Sequence, residues 1–216
     1  HGYLPEQLMK STIITLVKDK KGLLCDKDNY RPIAITTAIS KLLELVILEK
    51  FSEYLSSTTH QFGFKKHQST DMCIFAMKEV IEYYNKLSSP VFLCFIDASK
   101  AFDKINHWCL YKKLLDRNMP RVIVRLLMIW YSSQSFNVKW EGCISESFHV
   151  SNGVRQGGIL SPHLFSVYMD ELSTQLMESN IGCHFNNVNV NHLFYADDAV
   201  LLAPTAGSLQ TLINIC

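Results

Sequence analysis

Nowhere in the 216 residues do 18 consecutive apolar residues occur, and no basic-then-apolar leader opens the chain, so neither a membrane span nor secretion is expected. The seven cysteines (Cys25, Cys73, Cys94, Cys109, Cys143, Cys183 and Cys216) contain no CxxC pair. Neither a zinc site nor a disulfide framework is therefore indicated, and a reducing intracellular compartment fits best. Internal repeats, low-complexity tracts and long Pro/Gly/Ser linkers are missing, so the chain is read as one continuous unit. An excess of charge is missing too: 21 Lys and Arg stand against 20 Asp and Glu, a net +1 that gives no bulk attraction to nucleic acid. The opening His-Gly-Tyr-Leu-Pro has no Met, and the sequence reads as an excerpt of something longer.

What is present is a large apolar fraction, 48%, ample for a packed core. The charge is also uneven. Residues 99–140 carry eight basic side chains against two acidic ones, whereas residues 141–216 carry Arg155 against seven acids. Solvated helix faces are the ordinary fate of such basic residues, ahead of a phosphate track.

Hydrophobic spacing lays out the elements. Ser11–Val17 is a β-branched run that feeds the charged turn Lys18–Gly22. Residues 36–55 place Ile39, Leu42, Leu43, Val46, Ile47, Phe51 and Tyr54 at three-and-four spacing, which predicts an amphipathic helix, and residues 70–87 predict a second. Val91–Ile96 is a continuous apolar run, too short for a buried helix, and reads as a central strand with Asp97 at its end. Two helices follow, about residues 107–117 and from Pro120, in a first-turn position, to Tyr131. Phe136–Trp140 and Ser147–Val150 read as a hairpin about a Glu-Gly turn. Ser161-Pro162 opens a helix to about Glu178. Val190–Ala196 and Ala199–Ala203 form a tight hairpin with Asp197 and Asp198 at its tip, and a last helix begins near Ser208.

Adjacent aspartates are ordinarily a solvated turn. Here they interrupt an otherwise apolar hairpin, where their mutual repulsion needs a compensating cation. A divalent metal is the simplest one; Mg²⁺ takes oxygen ligands, and a third carboxylate on a neighbouring strand would complete the set. Asp97 is the best candidate, although an acid at a strand end can equally cap the next turn.

The order of these segments carries a resemblance. Phe-Ile-Asp97-Ala-Ser-Lys-Ala-Phe102-Asp, then Gly153-Val-Arg155-Gln156-Gly157-Gly158, then Tyr195-Ala-Asp197-Asp198 resemble palm motifs A, B and C of reverse transcriptases. Asn29-Tyr-Arg31-Pro-Ile and Gln61-Phe-Gly-Phe64, with Ser69-Thr70, look like fingers signatures of the same family. The runs Lys100–His107 and Gly157–Phe165 are similar to the non-LTR retrotransposon branch (LINE and jockey-like elements). The resemblance covers about residues 8–215. It implies an α+β fold, a right-hand polymerase with fingers (1–90) and palm (91–216), an antiparallel palm sheet backed by helices, and no thumb.

The same resemblance implies an RNA-directed DNA polymerase working on an RNA template and DNA primer with deoxynucleoside triphosphates and two Mg²⁺ (or Mn²⁺) ions. Asp97 and Asp197 would bind metal, Asp198 would complete the catalytic triad, and the Ala98 carbonyl is a further possible ligand. Phe102 would lie under the sugar, where its ring collides with a ribose 2′-hydroxyl; an ordinary core aromatic is the competing reading. Gln156 and Gly157 would contact the nucleotide. Arg31 with Lys18, Lys20 or Lys21 would hold the triphosphate, and Tyr195 and Arg155 would face the template and primer. Arg155 stands where many relatives have proline, and its charge suits phosphate. No membrane and no obligatory protein partner is expected, and the location implied is cytoplasm and nucleus.

Two competing functions stand beside this one: an inactive or repurposed remnant serving as an RNA-binding module, and an RNA-templated RNA polymerase, against which Phe102 argues. A chain whose last helix stops at Cys216 is further expected to extend a primer weakly or not at all. Leu193, Phe194, Val200 and Leu201 are expected to lie partly uncovered for want of a following segment.

Overall fold

The computed structural model describes residues 4–216. In chain order its first elements are α1 (Glu6–Met9), β1 (Lys10–Val17), β2 (Tyr30–Thr36), α2 (Ala38–Lys50), α3 (Thr70–Lys86), β3 (Phe92–Asp97), α4 (His107–Asp116) and α5 (Arg121–Ser133). Then come β4 (Ser135–Trp140), β5 (Cys143–Ile144), β6 (Phe148–His149), α6 (Ser161–Glu178), β7 (His184–Phe185), β8 (Val188–Asn189), β9 (His192–Tyr195), β10 (Asp198–Ala203) and α7 (Ala206–Ile215). They pack as two compact units, each drawn from two stretches of chain. Among the described residues, one takes in 4–55 with Phe102–Phe165; the other is Ser56–Ala101 with Ser166–Cys216. The expected boundary between residues 90 and 91 falls inside the second unit, which also takes in Gln61–Phe64 and Ser69-Thr70.

The first unit is built on a mixed sheet in the order β2-β1-β4-β5, with β6 also on β4; β1 runs antiparallel to β2 and parallel to β4. Helix α5 buries Val124, Leu127, Trp130 and Tyr131, the three-and-four stripe that its sequence spells, and α4 buries Leu110 and Leu114. Pro120 is the N-cap of α5 and not a first-turn residue: its backbone is extended, and its carbonyl accepts the N–H of Ile123 and Val124. The expected hairpin partner of β4 is split in two. Glu141-Gly142, both at positive φ, turn β4 directly into β5, and Phe148 returns opposite Phe136.

Helix α2 corrects the apolar stripe. Thr37 caps it, accepting the Ser40 N–H, but the residues it buries are Ser40, Glu44 and Ile47, while Ile39, Leu42 and Val46 are 47–67% exposed. Spacing alone ranks the apolar side as the inner one. A buried partner for Glu44, described below, turns the helix the other way.

In the second unit β10 lies centrally between β3 and β9, both antiparallel to it. The run expected to be central, β3, is therefore an edge strand of its sheet, with Phe95 71% exposed. Alternation sorts the hairpin residues to two faces. Leu193, Val200 and Leu202 pack with Cys73 and Val80 of α3, and Phe194, Leu201 and Ala203 pack with Leu176 of α6 and Leu212 of α7. The exposure expected for Leu193, Phe194, Val200 and Leu201 is thus overturned, since none exceeds 6%. Helices α3, α6 and α7 cover them. The seven cysteines are free, and no helix among the described residues is long and apolar enough to cross a membrane.

Candidate active site

The second unit gathers three carboxylates at one end of its sheet. Asp97 ends β3, Asp198 begins β10, and the two are direct cross-strand partners; Asp198 also faces Tyr195 across the hairpin. The loop is therefore Ala196-Asp197 alone, and Asp198 belongs to the strand rather than the tip. Ala196 has φ +59°, which costs an L-residue roughly 1–2 kcal/mol, at the position where such turns favour glycine. Facing carboxylates are unfavourable neighbours. Burial, and then the charges of Asp197 and Asp97, push the Asp198 carboxyl above its ordinary pKa. Hard, acceptor-only oxygens under mutual repulsion fit a divalent cation in donor type and in charge. Among the described residues no His, Cys, Asp or Glu set closes into a ready-made three-ligand cluster. Ala98 follows directly on β3.

The remaining candidates lie in the first unit. Gly153 donates its N–H to Ile105 O, and Val154 to Phe102 O, each at 2.8 Å, so the motif B loop is tied by its backbone to the end of motif A and the residues just after it. His107 Nε2 reaches Gly153 O at 2.7 Å. Further on, Ala34 of β2 donates to Gln156 O at 2.7 Å, and Gly157 sits so close that a Cβ there would stand 2.9 Å from Ala34 O. With φ at +103°, Gly157 admits no other residue without strain. Gln156 and Asp103 are among the residues lining a cavity of about 210 Å³, with Pro32 and Ala34 on the β2 side. The Phe102 ring stacks on Phe165, centroids 4.9 Å apart and planes within 4°.

Arg31 is exposed on β2 opposite Leu16. Lys18 is exposed at the end of β1, its ammonium donating to Asp28 O at 2.7 Å across the following loop.

Arg155 departs from expectation. It is 4% exposed; its guanidinium is paired with Glu44 of α2 and lies over the Trp130 ring, 4.8 Å from the centroid. A charge so placed points inward and is spent on Glu44, not on a phosphate. The second Glu44 oxygen accepts the backbone N–H of Ile159 and Leu160, so one buried carboxylate holds both sides of the motif B loop. Sequence reading missed Glu44. The one available signal was an acid interrupting the apolar residues of α2.

Comparison with known proteins bears on this arrangement. Residues 18–216 match the family described as "Reverse transcriptase (RNA-dependent DNA polymerase)". The chain belongs to the reverse transcriptase family. Among curated relatives of this reverse transcriptase chain are the retrovirus-related Pol polyprotein of the type-2 retrotransposable element R2DM of Drosophila melanogaster and the RNA-directed DNA polymerase of the mobile element jockey of Drosophila funebris. Each is 29% identical, over 86% and 93% of this chain. These are non-LTR retrotransposon enzymes, and the chain spans only 18% and 22% of their lengths. Among solved structures, apo telomerase of Candida tropicalis truncated from its C-terminal domain aligns with a TM-score of 0.65 at 13% identity, over 99% of this chain and 47% of that one. Telomerase of Candida albicans bound to a fragment of telomeric RNA gives 0.61 at 11% identity, over 98% and 40%. Both show a shared α+β polymerase fold. Reverse transcriptases generally use divalent metal ions.

Proposed function

We propose that this reverse transcriptase chain carries the nucleotidyl-transfer site of an RNA-directed DNA polymerase from a non-LTR retrotransposon. Its substrates in this reading are an RNA template paired to a DNA primer, and deoxynucleoside triphosphates. The observation that carries the reading is the convergence of Asp97, Asp197 and Asp198 on one sheet end of a chain in this family. Asp97 and Asp197 hold two ions, Mg²⁺ or Mn²⁺, with Asp198 and the Ala98 carbonyl completing the ligand set. Bound there, the ions supply a lowered pKa at the primer 3′-hydroxyl and charge neutralisation on the triphosphate and departing pyrophosphate. No nucleophilic side chain is needed, so the protein's part is positioning.

In the same reading Gln156 and Gly157 contact the nucleotide, Phe102 excludes a 2′-hydroxyl, and Tyr195 lies against the template and primer. Arg31 and Lys18 take the triphosphate, Arg31 by the bidentate geometry of a guanidinium. Cytoplasm and nucleus are the location that goes with this activity, and seven free cysteines suit a reducing compartment.

Primer extension by the full polymerase tests the proposal. Asp197→Asn should abolish single-nucleotide addition while leaving primer-template affinity within a few-fold. Extension by that variant, or a parent protein that binds RNA yet never extends, would overturn it.

A further inference from the structure

Beside β9, in the unit that holds the three aspartates, runs the segment Gln61-Phe62-Gly63-Phe64. Phe194 donates its N–H to His60 O and Phe62 donates its N–H to Phe194 O, both at 2.8 Å, so the segment lies along β9 as a short parallel addition to the sheet. This pairing delivers Gln61, 2% exposed, to the loop between Tyr195 and Asp198. There both ends of its amide are engaged. Oε1 accepts the N–H of Ala196 at 2.9 Å and of Gly63 at 2.8 Å, and Nε2 donates to Ala196 O at 3.1 Å. Both backbone polar groups of Ala196 are therefore held by one side chain. Gly63 closes the contact sterically: a Cβ there would stand 2.2 Å from Ala196 N and 2.8 Å from its Cα.

The loop needs such support. Ala196 is in the left-handed region without being glycine, and Asp197 and Asp198 follow it, the Asp198 carboxylate facing the charges of both Asp197 and Asp97. Left alone, strain and repulsion would both relax the turn, and a strained backbone persists only where its surroundings over-determine it. The β7–β8 turn, by contrast, places Asn186-Asn187 at positive φ, and asparagine enters that region at lower cost than alanine. We infer that Gln61 and Gly63 are positioning residues: they lock Ala196 in its left-handed conformation and thereby fix the direction in which Asp197 and Asp198 present their carboxylates. The consequence for rate rests on the polymerase reading above; the clamp itself does not.

The test separates the two. In the full polymerase, Gln61→Met keeps the side-chain volume and removes all three hydrogen bonds, and Gly63→Ala drives a methyl against Ala196 at a backbone conformation that alanine tolerates. Amide hydrogen exchange at Ala196 is followed together with kcat and KM for single-nucleotide addition and with Kd for primer-template. Each variant should speed Ala196 exchange at least about tenfold while Leu201 and Leu202, in the middle of β10, keep their protection. A misplacement of that kind should lower kcat by about 10–100-fold, with KM and Kd within about threefold of the parent. A parent protein that does not extend primers sinks the polymerase reading, and the clamp is then decided by exchange alone. Unchanged Ala196 exchange, a uniform rise across the sheet, or faster exchange with unaltered kcat in an active enzyme would each overturn the inference. If Gln61→Met does not fold, Gly63→Ala decides on the same readouts.

Discussion

Burying Glu44 and Arg155 together takes two charges out of water. The Ile159 and Leu160 amides meet the second carboxylate oxygen, but Nε and Nη1 of Arg155 have no hydrogen-bond partner among the described residues, so the intact pair adds little net stability while breaking it is costly. The pair is asymmetric under mutation. Glu44→Ala leaves an uncompensated guanidinium against Trp130 and should lower stability by about 3–5 kcal/mol, read as a fall in the urea midpoint, whereas Glu44→Leu combined with Arg155→Met should recover most of that loss. A single variant as stable as the parent would mean that water reaches the pair. Phe102 can be separated from its packing role in a similar way. If the ring only stacks on Phe165, Phe102→Val lowers stability and nothing else; if it lies under the sugar, the ratio of kcat/KM for ribonucleotide over deoxynucleotide rises as well. Neither residue's situation could be read fully from sequence. Glu44 and Arg155 are 111 positions apart, and no periodicity signals a polar side turned inward.

At the scale of elements, β9 is held from behind by a chain of polar groups whose protonation can be worked out. Asn191 spends its Nδ2 protons on Leu176 O and Ile181 O, so its Oδ1 must receive a proton from His192 Nδ1, which leaves His192 Nε2 to accept from Ser173. Thr58 then donates to Ser173, and the His60 ring stacks on His192 at 4.6 Å. The neutral imidazole is thus built in, and burial, with His60 adding to it, pushes the His192 pKa down to about 3; burial also lowers that of His60. Between pH 6.5 and 3 the unfolded chain binds a proton at His192 that the folded chain refuses. Stability is therefore complete above about pH 6.5 and falls as the medium is acidified, by about 2 kcal/mol at pH 5 from His192 alone. Denaturant midpoints between pH 7 and 5 check this: His192→Gln should be less stable at pH 7 but less sensitive to acid, and an equal slope would remove His192 as the cause. Most elements were legible because their spacing is strong, as in α3, α4 and α6. Others were not. The β7–β8 hairpin turns on Asn186-Asn187, both at positive φ, a signal present in the sequence but hidden beside a longer apolar run. The edge position of β3 depends on partners that a short apolar run does not name.

The whole molecule interleaves its two units along the chain, and this limits what any local reading can reach. The three aspartates were legible because each sits in an apolar flank that a solvated acid would not choose; the assignment of Gln61 to the same unit was not, since a contact across 135 positions has no local trace. A consequence at this scale concerns solubility. With a net charge of +1 the chain has little self-repulsion, and α2 of the first unit presents Ile39, Leu42, Leu45 and Val46 at 47–67% exposure. A contiguous apolar face of that kind is normally an association site or a liability. The described chain should therefore self-associate reversibly as its concentration rises, visible as a concentration-dependent sedimentation coefficient. Leu42→Glu combined with Val46→Lys leaves the net charge at +1, because one acid and one base are added, so any change reports the apolar face and not the charge. The pair lies four apart on one side of the helix with the acid first, an arrangement worth about 0.2–0.5 kcal/mol to the helix itself. Far-UV dichroism and thermal midpoint should accordingly stay at the parent values while sedimentation becomes independent of concentration. If the parent is already monodisperse across the range, or the double variant associates as strongly, the exposed face of α2 is not what brings chains together.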